Sequence, residues 1–238
     1  MKILGIDSSG LVASVAVVED EILLAEYTTD YKKTHSQTLM PMLEAIKNMI
    51  DLDMDSIDAI AISAGPGSFT GLRIGSATAK GLGLALNKPI VEVPTLEGLA
   101  FNLWGTDKLI CPLMDARRNQ VYTGIYEFDE YEDDRQHLNI VMPQCAIDIS
   151  LCVENINNLA REVIFLGDGV DVYREKIDEL IAVPHYYAPA SMNRQKASSV
   201  ASLGELYFSK GIFVDAKDHA PEYLRQSQAE REREEGKI

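Results

Sequence analysis

Two aspartates and one glycine-rich turn are the residues of this 238-residue chain best suited to chemistry. Gly65-Pro66-Gly67-Ser68-Phe69-Thr70-Gly71-Leu72-Arg73-Ile74-Gly75 joins a β-branched run, Ile57 to Ile62, to an Ala/Gly/Leu-rich stretch ending near Asn87. A strand, a glycine turn and a helix start in that order suggest an anion site, because Gly65 and Gly67 tolerate positive φ and Ser68 or Thr70 can cap the helix. The plainer role, and the expected one, is a tight connection that lets the helix lie close on its sheet. Asp7 and Asp115 each end an apolar run, and each can cap the turn that follows through local hydrogen bonds.

The elements that position these residues repeat. Ile3 to Asp7, a short turn and a strand from about Val12 to Val18 are matched about a hundred residues later by Leu109 to Asp115, the turn Ala116 to Asn119 and a strand from Gln120 to Phe128. Further on, Ile57 to Ser63 runs into Gly65-Pro66-Gly67, and Val163 to Leu166 runs into Gly167-Asp168-Gly169. The pattern predicts two lobes, residues 1–104 and 105–225, each a mixed sheet with helices packed on it, followed by a charged tail, 226–238. The first lobe adds a strand at Ile22 to Tyr27, a helix at about Thr38 to Ile50 with Pro41 in its first turn, a helix from Thr70 to Leu86 and a strand from Ile90 to Val93. The second adds helices near Val170 to Ile181 and Ser198 to Lys210.

Composition narrows the function classes. The chain has 22 basic and 37 acidic residues, a formal charge of −15, which opposes unaided binding to a polyanion. Cys111, Cys145 and Cys152 show no C-x-x-C spacing, so neither a disulfide framework nor a thiolate zinc site is expected. Met1-Lys2 leads straight into a strand, which leaves no room for a signal peptide, and no apolar run reaches the roughly twenty residues of a membrane helix. A cytoplasmic protein without membrane attachment is the expectation.

The glycine-rich segment resembles the signature of the bacterial TsaB family, also called YeaZ. The opening strands, with Ile6-Asp7-Ser8-Ser9 and Ser14-Val15-Ala16-Val17, are similar to the same family, as are Pro94-Thr95-Leu96, Asp115-Ala116-Arg117 and Tyr223-Leu224-Arg225. The resemblance implies the α/β, two-lobed, ribonuclease H-like architecture of actin, Hsp70 and sugar kinases, with duplicated mixed sheets flanked by helices. It also implies work in tRNA N6-threonylcarbamoyladenosine synthesis, beside the catalytic homologue TsaD and the ATPase TsaE, with tRNA met only through the complex. In nucleotide-using members of that superfamily the strand-end aspartates serve a metal-bound nucleotide. Here Asp7, Ser8, Ser9 and Asp115 occupy those positions, but bulky Arg117 and Arg118 stand where glycines would be wanted, so they are expected to be vestigial. No cofactor is expected in the isolated chain; ATP and magnesium would be bound mainly by the partners.

TsaD holds its metal through a His-x-x-x-His motif, and His35, His137, His185 and His219 do not have that spacing. No catalytic residue and no metal ligand is therefore assigned. An ATP-dependent phosphotransferase or ATPase of the same superfamily remains the alternative, and a protease a weaker one, since no serine or cysteine stands out with a base. A partner surface is expected on two helices. Gly71, Gly75, Ala79 and Gly83 recur every four residues, which implies another backbone lying close, because glycine inside a helix costs about 1 kcal/mol against alanine. With Leu72 and Leu82, and with Leu39, Met42, Leu43 and Ile46 on the preceding helix, they make the predicted interface for TsaD, or for a twofold homodimer when the chain is alone.

Overall fold

The computed structural model describes residues 1–31, 34–129 and 137–225; the charged tail expected at 226–238 lies outside them. The first sheet is built from β1 (Lys2–Asp7), β2 (Ala13–Glu19), β3 (Ile22–Thr29), β4 (Ala59–Gly65) and β5 (Ile90–Pro94), in the order β3-β2-β1-β4-β5. The second is built from β6 (Leu109–Asp115), β7 (Gln120–Phe128), β8 (Leu138–Asp148), β9 (Val163–Leu166) and β10 (His185–Tyr187), in the order β10-β9-β6-β7-β8. Reversed, the second order is the first. In both sheets the three leading strands are antiparallel neighbours and the last two run parallel to the leading one. The duplication read from the sequence is present in the topology, and the fold is the two-lobed one expected.

The central strands are buried on both faces, so Ile3, Leu4, Ile6, Val15, Val17, Val18, Ile60 and Ile62 form continuous apolar runs. One face of the first sheet is covered by α1 (His35–Met49) and α2 (Phe69–Leu86). Equivalent helices α4 (Ile149–Leu159) and α5 (Asp168–Leu180) cover the second sheet. Local signals set their ends. The Ser68 hydroxyl accepts from the Gly71 N–H at 3.3 Å to start α2, and Asn87, at φ 54°, closes it in a left-handed cap. The Asp148 carboxylate does the same for α4, accepting from the Ser150 N–H at 2.8 Å.

The remaining helices cross over. α3 (Thr95–Ala100) leaves the first sheet and packs Leu96, Leu99 and Ala100 against Ile110, Met114 and Tyr126 of the second lobe. α6 (Ala197–Ser209) leaves the second sheet and packs Val200, Ala201 and Leu203 against Ile3, Ala59, Val91 and Val93 of the first. The helix expected at Ser198 to Lys210 is there, but its place in the second lobe is corrected: its apolar face matches the back of the first sheet. The chain then follows the first lobe, where Ile90 and Val214 exchange backbone hydrogen bonds of 2.9 Å, before Glu222 and Arg225 reach Gln144 and Ala116 of the second. The boundary at 104/105 separates the sheets and not the packing units.

Pro41 also differs from expectation. α1 starts at His35, so Pro41 lies beyond the first turn, on the exposed side of the helix.

The predicted partner surface is corrected more deeply. Leu39, Met42, Leu43, Ile46 and Ala79 are buried within the subunit, packed with Leu4, Ile6, Val15, Val17, Ile60 and Ile62, and Leu72 is buried too. The close neighbours implied by the small residues exist, but they are the chain's own, with backbone nearest only at Gly71. A methyl on Gly75 would lie 2.3 Å from the Ser8 hydroxyl, and one on Gly83 would lie 2.7 Å from Ala216. Leu82 is half-buried against the same core. The outward side of α2 carries Ala77, Gly81, Leu84 and Ala85 instead.

Candidate functional site

The two aspartate turns face each other across the junction of the lobes, and they are held very differently. Asp7 is 1% exposed. One carboxylate oxygen accepts from the Ser9 N–H at 2.9 Å and the Ser9 hydroxyl at 2.8 Å, and the other accepts from the Ser63 hydroxyl. Burial pushes this carboxyl above the usual carboxylate range, with the serine hydrogen bonds acting in the opposite direction. Asp7 is thus a satisfied internal cap with no face on the cleft.

The neighbouring serines are committed to packing. Ser8 donates its hydroxyl to the Gly71 carbonyl at 2.9 Å, and the Ser9 carbonyl accepts from the Ser68 N–H at 2.6 Å. A methyl on Gly67 would lie 2.3 Å from that carbonyl, and one on Gly71 would lie 2.1 Å from the Ser8 carbonyl. Gly65, at φ 129°, lets the Glu222 carbonyl approach to 2.2 Å of where a Cβ would be. Glu222 returns an N–H to the Ala64 carbonyl at 2.7 Å, and the Gly65 N–H reaches the Thr95 hydroxyl at 3.2 Å. The glycines here admit other chain segments.

Asp115 is less enclosed. It accepts from the Arg117 N–H at 2.9 Å and the Tyr173 hydroxyl at 3.3 Å, and it pairs with the Arg117 guanidinium at 3.2 Å. Arg117, Arg118 and Asn119 all take left-handed φ values, 63°, 56° and 59°, which swing the turn tightly into β7. Asp168, at the start of α5, accepts the Asp115 N–H at 3.4 Å, and burial raises its carboxyl too. Between the lobes lies a cleft of about 500 Å³ lined by Ser9, Gly10, Gly67 and Ser68 on one side and by Asp115, Arg117, Asp168 and Arg194 on the other.

A magnesium–nucleotide does not fit this arrangement. Asp7 is spent on three serine-derived hydrogen bonds, the Ser68 N–H is spent on Ser9, and the spaces beside Gly65 and Gly67 hold chain carbonyls where phosphate would need to enter. Arg117 and Asp115 engage each other at the second turn. Among the described residues no group of three His, Cys, Asp or Glu side chains is placed to hold a metal. His35 contacts the Gly10 carbonyl at 2.9 Å, His185 contacts Asp178 at 3.0 Å and His219 contacts Glu92 at 2.6 Å. None of these histidines is hydrogen-bonded to a serine or cysteine side chain among the described residues.

What the junction does bring together is the set of segments that carry the family resemblance. Phe69 stacks on Tyr223 at 4.7 Å, and the Arg73 guanidinium lies over the Phe69 ring at 3.9 Å. Arg73 donates its Nε–H to the Tyr223 hydroxyl at 3.3 Å, and Arg225 donates to the Ala116 carbonyl at 2.9 Å. Residues 65–75, 94–96, 115–117 and 222–225 therefore meet at one place. Reading the residues for nucleotide chemistry passes over Phe69, Arg73, Tyr223 and Arg225, although all four lie inside the segments that signalled the family.

A family model described as TsaD, tRNA N6-adenosine threonylcarbamoyltransferase, matches residues 23–233. The tRNA threonylcarbamoyladenosine biosynthesis protein TsaB of Bacillus subtilis is 34% identical over 97% of this chain and 96% of its own length. The chain belongs to the TsaB family. The Escherichia coli TsaB is 35% identical over 55% of the chain and 57% of its own length. The solved structure of YeaZ from Pseudomonas aeruginosa superimposes on this TsaB-family chain with a TM-score of 0.75 at 25% identity, covering 94% of the chain and 99% of YeaZ. A second Pseudomonas aeruginosa structure, described as similar to peptidase YEAZ, gives a TM-score of 0.79 over the same shares. Among the described residues no helix is long and apolar enough to cross a membrane.

Proposed function

We propose that this chain is a non-catalytic subunit in the synthesis of tRNA N6-threonylcarbamoyladenosine, pairing with a TsaD protein and ordering it for the transfer, with the ATPase TsaE as the third component. The reading is carried by the similarity to the Bacillus subtilis TsaB along nearly the whole of both chains. The spent hydrogen bonds of Asp7 and the filled glycine turn support the non-catalytic part. ATP and magnesium belong mainly to the partners, and the complex works in the cytoplasm.

The pairing face is the outward layer of α1 and α2, not the inward one. Ala77, Gly81, Leu84 and Ala85 on α2 are exposed, as are Met40 and Pro41 on α1. A methyl on Gly81 would meet nothing within 4 Å, so a second helix can approach its backbone. The same layer serves a twofold homodimer when TsaD is absent.

The test is reconstitution with TsaD, TsaE, ATP, threonylcarbamoyl adenylate and unmodified tRNA. Modification is expected to need the chain, to survive Asp115→Asn, and to fail with Gly81→Arg because association in sedimentation is lost while the thermal melt is kept. Full modification without the chain, or loss of activity in a folded and assembled Asp115→Asn complex, would refute the reading.

A further inference from the structure

A chain with 37 acidic against 22 basic residues gathers arginines from three distant segments at one edge of the lobe junction. Arg73 comes from α2, Arg117 from the turn between β6 and β7, and Arg225 from beyond α6. Arg73 and Arg225 have no carboxylate partner among the described residues. Each is held by an uncharged group: Arg73 by the Phe69 ring and the Tyr223 hydroxyl, Arg225 by the Ala116 carbonyl. Arg73 uses only its Nε in these contacts, so both terminal nitrogens are left without a partner among the described residues. Arg117 shares its charge with Asp115 yet is 86% exposed. Glu222, three residues before Arg225, is engaged by Gln144 at 3.2 Å, and Arg117 lines a groove with Glu175 and Glu179.

We infer that this edge is a direct contact for RNA, taking phosphates of a single-stranded loop on Arg73, Arg117 and Arg225 and a base against Tyr223. Planar guanidinium groups fixed at one end present paired N–H donors to phosphate oxygens. Single-stranded RNA offers unstacked bases to aromatic rings, and Tyr223 is 38% exposed beside the arginines. The net charge keeps the contact weak when the chain is alone, so it matters where a partner holds the RNA nearby. The inference deepens the proposed function and rests on it for the identity of the RNA: it adds a contact made by this chain's own side chains to a role otherwise confined to its helices.

Two measurements test it on the chain assembled with TsaD, using an unmodified tRNA transcript as the probe. Binding is followed from about 50 to about 200 mM salt for the parent and for the double variant Arg73→Gln, Arg225→Gln. The variant is expected to bind about tenfold more weakly at the lower salt, with its log–log salt slope shallower by about 1.4, two single-strand phosphate contacts. Photo-crosslinked peptides are expected to include 222–225 or 65–75. An unchanged affinity and slope in a variant that still assembles overturns the RNA contact and leaves the proposed function standing. Loss of assembly with TsaD by the folded variant also overturns it, and assigns the edge to an acidic protein surface. If parent chain and TsaD do not associate, the proposed function fails, and crosslinking of the chain alone at about 50 mM salt decides: adducts at Phe69 or Tyr223 uphold the contact and their absence rejects it.

Discussion

α2 and α5 occupy the same position in the two lobes, following β4 and β9, and their outer faces differ. α5 presents Asp171, Arg174, Glu175, Asp178 and Glu179 to solvent, the charged face of an ordinary surface helix. α2 presents Ala77, Gly81, Leu84 and Ala85, with no charge between Arg73 and Lys80. Their inner faces do the same work against equivalent sheets. The aspartate turns diverge in parallel: Asp7 is sealed inside, whereas Asp115 stands at the cleft. The cores of the two lobes are alike and their outer surfaces are not: of these two helices, α2 alone has a face of small, apolar residues.

The inner and outer faces of α2 should respond oppositely to an added charge. Ala79→Arg should unfold the subunit, because it drives an unpaired charge into a fully buried position at a cost above about 4 kcal/mol. A cooperative thermal melt near that of the parent would show that the inner face is not core. The outward Gly81→Arg, in contrast, should melt like the parent.

The two aspartate turns should differ in the same sense. Asp7→Ala strands the Ser63 hydroxyl and the Ser9 N–H in a sealed site and should cost about 2–4 kcal/mol. Asp115→Ala removes partly exposed contacts and should cost about 1 kcal/mol or less. Equal losses in urea titrations would mean that the two turns are not held differently.

The smallest effect is on pH dependence. Burial gives Asp7 a higher proton affinity in the folded chain than in the unfolded one, so the folded state binds more protons over the window from about 3.9 upward through the raised value. Stability contributed by this group therefore falls as pH rises through that window. The parent should lose stability relative to Asp7→Asn between acid and neutral pH, and parallel curves for the two proteins would contradict the assignment.

Much of the fold was legible because the central strands are buried on both faces. β1, β2, β4, β6 and β7 each need an apolar run, and the two aspartates mark corresponding ends. β8 escaped notice because its residues are mostly half-buried and interrupted by Pro143. β10 is only three residues long. α4 carries a clear apolar spacing in Ile149, Cys152, Val153 and Ile156 that went unread. The junction cluster was half legible: the segments were recognised one by one, but nothing in their spacing says that Tyr223 will stack on Phe69.

The order of amino acids by itself determined the duplicated strand plan, the helices that follow it and the family, since these rest on local periodicity and short motifs. Which side of a helix faces inward, which lobe receives α3 and α6, and whether a glycine makes room for phosphate or for another stretch of chain were decided only in three dimensions. A glycine's missing side chain or a leucine's apolar surface specifies a close neighbour without specifying whose. Only the packed structure, where the Ser8, Ser9 and Glu222 carbonyls already fill those spaces, supplies the neighbour's identity.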